Sequence, residues 1–155
     1  MTTTQRNVLY MDSKLGVIEL VAQGNAIVSI GIVSEHGQNR VNGQFIGDCA
    51  TQLEEYFAGS RRCFDFPLKL RGTDFQKSVW RALLEIPYGE TRSYKDICLL
   101  LGREKAARAV GNAAGKNPVL VVVPCHRVIS SDGGLGGFSA GLDLKKHLLA
   151  LESEA

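Results

Sequence analysis

The chain has 155 residues, 45% of them hydrophobic and 22% charged, a composition that excludes disordered, collagen-like and membrane-spanning classes and fits one domain or two small ones. Eighteen Lys and Arg against sixteen Asp and Glu leave a net charge of +2, so any binding to nucleic acid must rest on local charge. Met1 to Ser13 holds no apolar core of the length a secretory signal needs, and no run approaches a membrane span; the expectation is a soluble, cytoplasmic protein. Four cysteines lie scattered, with no CxxC pair and three histidines in the whole chain. That pattern predicts neither a disulfide frame nor a zinc site. Cys49, Cys63 and Cys98 read as small hydrophobes, and Cys125 stands apart.

From Val8 to Val33 apolar residues recur with period two or in short runs, broken by Asp12-Ser13-Lys14 and Gln23-Gly24-Asn25. Three antiparallel strands are expected. After a polar loop, Ile46, Ala50, Leu53 and Phe57 fall at helical spacing until Gly59-Ser60, which predicts one amphipathic helix covering a small sheet. Residues 61–72 are mixed and extended around Pro67. The text then changes from strand alternation to capped helices, which places a domain boundary near Gly72 and gives domains of 1–72 and 73–155.

Thr73-Asp74-Phe75-Gln76 fits a capping box ahead of a helix with Val79, Trp80, Leu83 and Leu84 as its stripe. Ser93-Tyr94-Lys95-Asp96 opens a second in the same way, with a stripe of Ile97, Leu100 and Leu101 ending at Gly102. A third, from about Glu104 to Ala114, carries Val110 as its one sizeable apolar side chain. Two short helices around Gly102-Arg103, the second thin and bearing Arg108, resemble a helix-turn-helix. Between Arg92 and Arg127 seven basic residues face two acids. Close helix packing and a solvated basic face explain the same features, so this segment alone leaves DNA binding open.

Asn117-Pro118 stops the third helix, and Val119 to Val123 reads as a buried strand delivering Pro124-Cys125-His126-Arg127. A cysteine beside a histidine is a candidate nucleophile, because the thiolate is the attacking species and needs a base or cation to form. Neighbouring side chains on an extended chain point to opposite faces, so a bridging water is the expected proton path. His126 used in this way needs a carboxylate to fix its tautomer; the candidates are Asp132, Asp143, Glu152 and Glu154. Glu152 closes the last helix, whose stripe is Leu144, Leu148 and Leu151, at an end where the macrodipole disfavours acids. The glycine-rich loop from Ser130 to Gly141 reads either as a connector or as a wall admitting a flat ligand, with Phe138 to stack and Ser139 to hydrogen-bond.

Pro124-Cys125-His126-Arg127-Val128-Ile129 resembles the active-site motif of the O6-alkylguanine-DNA alkyltransferases. Phe75-Gln76, Val79-Trp80, Pro87-Tyr88-Gly89-Glu90, Ser93-Tyr94, Ala107-Arg108-Ala109-Val110-Gly111, Asn117-Pro118 and Leu148-Leu149-Ala150-Leu151-Glu152 are similar to the family in order and spacing. The resemblance implies an α/β (α+β) fold of two small domains: a ribonuclease H-like antiparallel sheet with a helix, then a mostly helical winged-helix-like domain with the helix-turn-helix. It implies DNA repair by irreversible, once-only transfer of an alkyl group from O6-alkylguanine in duplex DNA, and less well from O4-methylthymine, after minor-groove binding and base flipping. No cofactor, metal, membrane or obligate protein partner is implied, and a monomer is expected, with cooperative assembly on DNA left open.

Carried over by position, Cys125 is the acceptor, His126 takes its proton through a water, Glu152 orients His126 and Asn117 braces the turn into the site. Tyr94 assists nucleotide rotation and protonation of the leaving guanine, and Arg108 fills the space that the base leaves. Lys95, Arg103 and Ser131 fall where the family contacts the DNA backbone. Val128, Phe138 and Ser139 line the base pocket, with phenylalanine at 138 where the family often has tyrosine. The N-terminal region offers Cys49, Cys63 and His36 and no zinc set, so the chain resembles the minimal stand-alone form.

Three other readings compete with this one. Family relatives that lack the cysteine act as alkylated-DNA damage sensors, and Cys125 speaks against that here. A Cys-His hydrolase would turn over repeatedly without DNA. A plain helix-turn-helix regulator would show a dimer face, and none is evident.

Overall fold

The computed structural model describes residues 5–134 and 141–153. The chain divides into two compact units that meet in sequence at Leu70 and Arg71. In the first, β1 (Arg6–Ser13), β2 (Gly16–Gln23) and β3 (Ala26–Val33) form an antiparallel meander in that order. Gly16 and Gly24, with φ of 116° and 58°, turn the chain between strands where residues with a Cβ are disfavoured. Met11, Ile18, Leu20, Ile27 and Ile30 are buried, and α1 (Phe45–Phe57) covers the sheet with Ile46, Cys49, Ala50, Leu53 and Tyr56. The expected stripe ended on Phe57. Tyr56 takes the buried position instead, and Phe57 stands edge-on to its ring at 5.5 Å between centroids.

The extended segment around Pro67 pairs with β3: Ile27 N donates to Pro67 O at 2.9 Å and Lys69 N to Ile27 O at 2.8 Å. The polar loop is tied back in the same manner, with Val8 and Arg40 exchanging backbone hydrogen bonds of 2.9 and 2.8 Å and the Asn7 side chain accepting from Asn42 N.

In the second unit both expected capping boxes form. Thr73 and Gln76 cap α2 (Asp74–Leu84) reciprocally, as Ser93 and Asp96 cap α3 (Tyr94–Leu100); each box contributes about 1 kcal/mol. The third helix, α4 (Ala107–Gly115), begins later than expected, because residues 103–106 close a turn through Ala106 N donating to Arg103 O. Val110, Ala113 and Ala114 are its buried side, and the Trp80 indole of α2 donates to Ala113 O at 2.8 Å. Leu100 was expected in the stripe of α3 but is 61% exposed. The helix has seven residues, and Ile97 and Cys98 already fill its inner face.

Val119 to Val123 is not the expected strand. The segment folds back on itself: Val123 N donates to Val119 O and Val122 N to Leu120 O, with Val121 at a φ of 73°. The Asn117 side chain stitches the turn from inside, accepting from Val119 N at 2.9 Å and donating to Val123 O at 2.7 Å. The run is fully apolar because it is buried, and an apolar run has no period by which turn and strand could be told apart. A 3-10 helix, Cys125–Arg127, follows, then β5 (Val128–Ile129), which pairs in parallel with β4 (Arg92–Ser93). α5 (Leu142–Ser153) completes the unit.

Candidate active site

The two-residue β4–β5 pair brings two of the expected site residues together. It sets Arg92 beside Val128 and Ser93 beside Ile129, so Tyr94, which opens α3, is held next to the strand that leaves the Cys125 turn. Asn117 comes to the same place from the end of α4. Its Nδ2, already bonded to Val123 O, also donates to Cys125 Sγ at 3.2 Å. One amide thus shapes the turn and contacts the sulfur.

Cys125 is 5% exposed. Burial pushes its thiol above the ordinary value, opposed by the Asn117 hydrogen bond and the charge of Lys145. The free protein therefore holds a protonated thiol at neutral pH, and a base is needed for attack. The candidate base is the next residue. His126 is completely buried, and its Nε2 lies 2.7 Å from Glu152 Oε2. Burial lowers the imidazole pKa, more than the hydrogen bond and charge of Glu152 restore, so the ring is neutral. A neutral ring bonded to a carboxylate carries its hydrogen on Nε2 and keeps a lone pair on Nδ1. Nδ1 has no hydrogen-bond partner among the described residues.

Of the four carboxylates considered, Glu152 is the one brought to His126. Asp132 and Asp143 are exposed, Asp132 bonding Gly134 N in its own loop, and Glu154 lies outside the described residues. The opposite-face argument for Cys125 and His126 assumed an extended chain, and the 3-10 helix removes that premise.

Two site residues escaped the sequence reading. Arg127 grips Glu152 with both arms, Nε to Oε1 at 2.7 Å and Nη2 to Oε2 at 2.9 Å, and its Nη1 donates to Ile86 O at 2.7 Å. Lys145 is fully buried, its Nζ donating to Val128 O at 2.5 Å. Burial lowers the Lys145 pKa and the neighbouring Cys125 raises it. A signal existed for the second: Lys145 sits three residues before Leu148 and seven before Glu152, on the buried face of α5.

Tyr94 apart, the residues expected to touch DNA lie on the surface. Lys95, Arg103, Arg108 and Ser131 are exposed, with Arg108 in the first turn of α4 and the Arg103 guanidinium 5.2 Å from the centre of the Phe75 ring. Tyr94 is half-buried, facing Gly111, where an added Cβ would stand 3.8 Å from its ring. Val128 is completely buried. Phe138 and Ser139 lie outside the described residues. Among the described residues no group of His, Cys, Asp and Glu could hold a metal ion, and no helix is long and apolar enough to cross a membrane.

The model of the 6-O-methylguanine DNA methyltransferase DNA binding domain matches residues 74–154, and that of the ribonuclease-like domain of the same enzymes matches residues 8–70. The chain belongs to this family. A methylated-DNA–protein-cysteine methyltransferase of Methanosarcina barkeri is 56% identical over 111 residues, covering 72% of this chain and 70% of its own. The protein of that name from Mycobacterium tuberculosis strain H37Rv is 45% identical over 148 residues, covering 92% and 89%. Among solved structures, the O6-methylguanine methyltransferase of M. tuberculosis superposes with a TM-score of 0.87 at 41% identity over 97% of this chain and 94% of that one. The M. tuberculosis protein in complex with DNA gives 0.86 at 43% identity over 94% and 91%. Membership makes this chain a two-domain DNA-repair methyltransferase whose second domain binds DNA.

Proposed function

We propose that this protein transfers the alkyl group of O6-alkylguanine in duplex DNA, and less well that of O4-methylthymine, to Cys125 once and irreversibly. The observation that carries the reading is the buried His126, next to Cys125 in the chain and bonded to Glu152, with the Nδ1 lone pair unused. Through a bridging water Nδ1 takes the thiol proton. The thiolate forms a bond to the alkyl carbon, the C–O6 bond breaks, and its electron pair stays on the base. Tyr94, held at the start of α3 beside the Cys125 turn, gives the base a proton, so the proton that the thiol loses balances the one that guanine gains. A thioether has no hydrolytic exit, and action is stoichiometric.

A base inside a duplex cannot reach a sulfur that is 5% exposed, which supports extrusion of the nucleotide. Arg108 fills the gap in the duplex, while Lys95, Arg103 and Ser131 hold the backbone; Val128, Phe138 and Ser139 wall the base. The alanines of α4 would let its backbone approach the narrow minor groove. We assign a monomer that needs no cofactor.

The test is a duplex carrying one O6-methylguanine, incubated with the protein, followed by intact mass and peptide mapping. One methyl on Cys125, saturating at one per molecule, is expected. Tight selective binding without a mass change would make the protein a damage sensor instead.

A further inference from the structure

Arg127 and its neighbours fix Glu152 in the site from every side of its carboxylate. Both carboxylate oxygens are engaged twice, Oε1 by Arg127 Nε at 2.7 Å and Gly89 N at 3.3 Å, Oε2 by Arg127 Nη2 at 2.9 Å and His126 Nε2 at 2.7 Å. Arg127 is in turn held by Ile86 O at 2.7 Å, with Tyr88 5.7 Å from its guanidinium carbon. A planar fork that matches the carboxylate fixes both its position and its rotation, which a point charge does not do.

We propose that Arg127 is a positioning residue for alkyl transfer: its fork holds the Glu152 carboxylate against His126 and offsets part of the carboxylate charge that would draw a proton onto the ring, so that Nδ1 stays free to accept one. This rests on the reading of His126 as the proton acceptor. Glu152 draws the ring toward its charged form, and a charged ring has no lone pair to offer; burial opposes that pull first, and the Arg127 charge adds to the opposition. The charged and titratable groups around His126 are Glu152 and Lys145 from α5, and Cys125 and Arg127 from its own turn. One anion already faces two cations there, so a further positive charge on the ring is opposed. The electrostatics agree in sign: burial, Arg127 and Lys145 lower the imidazole pKa, and Glu152 raises it.

The experiment is a titration of His126 by imidazole nitrogen NMR in the full chain, beside the pH dependence of methyl transfer to Cys125. In Arg127→Gln the His126 titration should move up by about one unit or more, and the acid limb of the transfer rate should follow it, with about a tenfold loss below pH 6.5. An unmoved titration in a folded Arg127→Gln protein, with the rate reduced equally at every pH, would leave Arg127 a structural tie only and overturn the proposal. Should Arg127→Gln fail to fold, Arg127→Lys keeps the charge and loses the fork. There the titration should stay near that of the unmodified protein while the plateau rate drops about tenfold, and an undiminished plateau would overturn the positioning role. The titration needs no activity, so it judges Arg127 even if the acceptor reading fails; that failure would show separately, as a wild-type rate whose acid limb does not track His126.

Discussion

The two working regions of the second unit are built on opposite principles. Around Cys125 the polar side chains are buried and held: Asn117, His126, Arg127, Lys145 and Glu152 are each at most 8% exposed, and Glu152 alone accepts from three residues. Lys95, Arg103, Arg108 and Ser131, the residues proposed to contact DNA, are exposed, and Arg103 rests on Phe75. Bond making needs groups fixed to a fraction of an ångström before the substrate arrives. Backbone contact needs charge and reach, and a long side chain in water supplies both. The lesson is that substitutions in the first region should act on the chemical step and those in the second on binding, with little crossing over.

The largest effect that would sharpen this contrast is Cys125→Ser, which should abolish transfer while leaving affinity for the alkylated duplex within about threefold, read by intact mass and by titration of labelled duplex; retained transfer would refute the acceptor assignment. Next comes Glu152→Gln. It should slow single-turnover transfer by about 10²-fold, since without the carboxylate His126 accepts the Cys125 proton less readily, and it should move the acid limb of the pH profile down, because Glu152 holds the imidazole pKa up; an unchanged profile would remove Glu152 from the relay. Arg108→Ala should reduce transfer about tenfold, with extrusion of the nucleotide weakened and thermal unfolding unmoved, as an exposed side chain in the first turn of α4 has little to unfold. The smallest effect belongs to Lys95→Ala. It should weaken binding to damaged and undamaged duplex alike and lower the slope of log affinity against log salt by about one, the signature of one phosphate contact. A large loss of transfer at saturating DNA in Lys95→Ala would break the separation of the two regions.

What was legible in the sequence is local. The three strands follow from alternation and turn residues, and the capping boxes at Thr73 and Ser93 need four residues each. Cys125, His126 and Asn117 were legible as motif members, and Glu152 as an acid in a disfavoured position. Val119 to Val123 failed because the turn is made by a side chain outside it, Asn117, and by a positive φ at Val121 that valine does not advertise. Arg127 was passed over because its importance lies in Glu152, 25 residues away, and in Ile86, 41 residues back. Leu100 was misplaced because a stripe counted on a helix wheel takes no account of how short the helix is.

α2 and α3 begin with reciprocal side-chain caps, whereas α4 begins at Ala107 with none. The side chains that pack α4 begin at its fourth residue: Val110 in the core, then Ala113 and Ala114, with the Trp80 indole bonded to the Ala113 carbonyl. The helix is therefore graded along its length, free to fray where Arg108 projects and clamped where it hands over to Asn117. In the proposed docking of α4 on DNA, a duplex whose groove changes width with base composition would be followed at the soft end by small backbone adjustments, and the clamped end would keep those adjustments from reaching the sulfur.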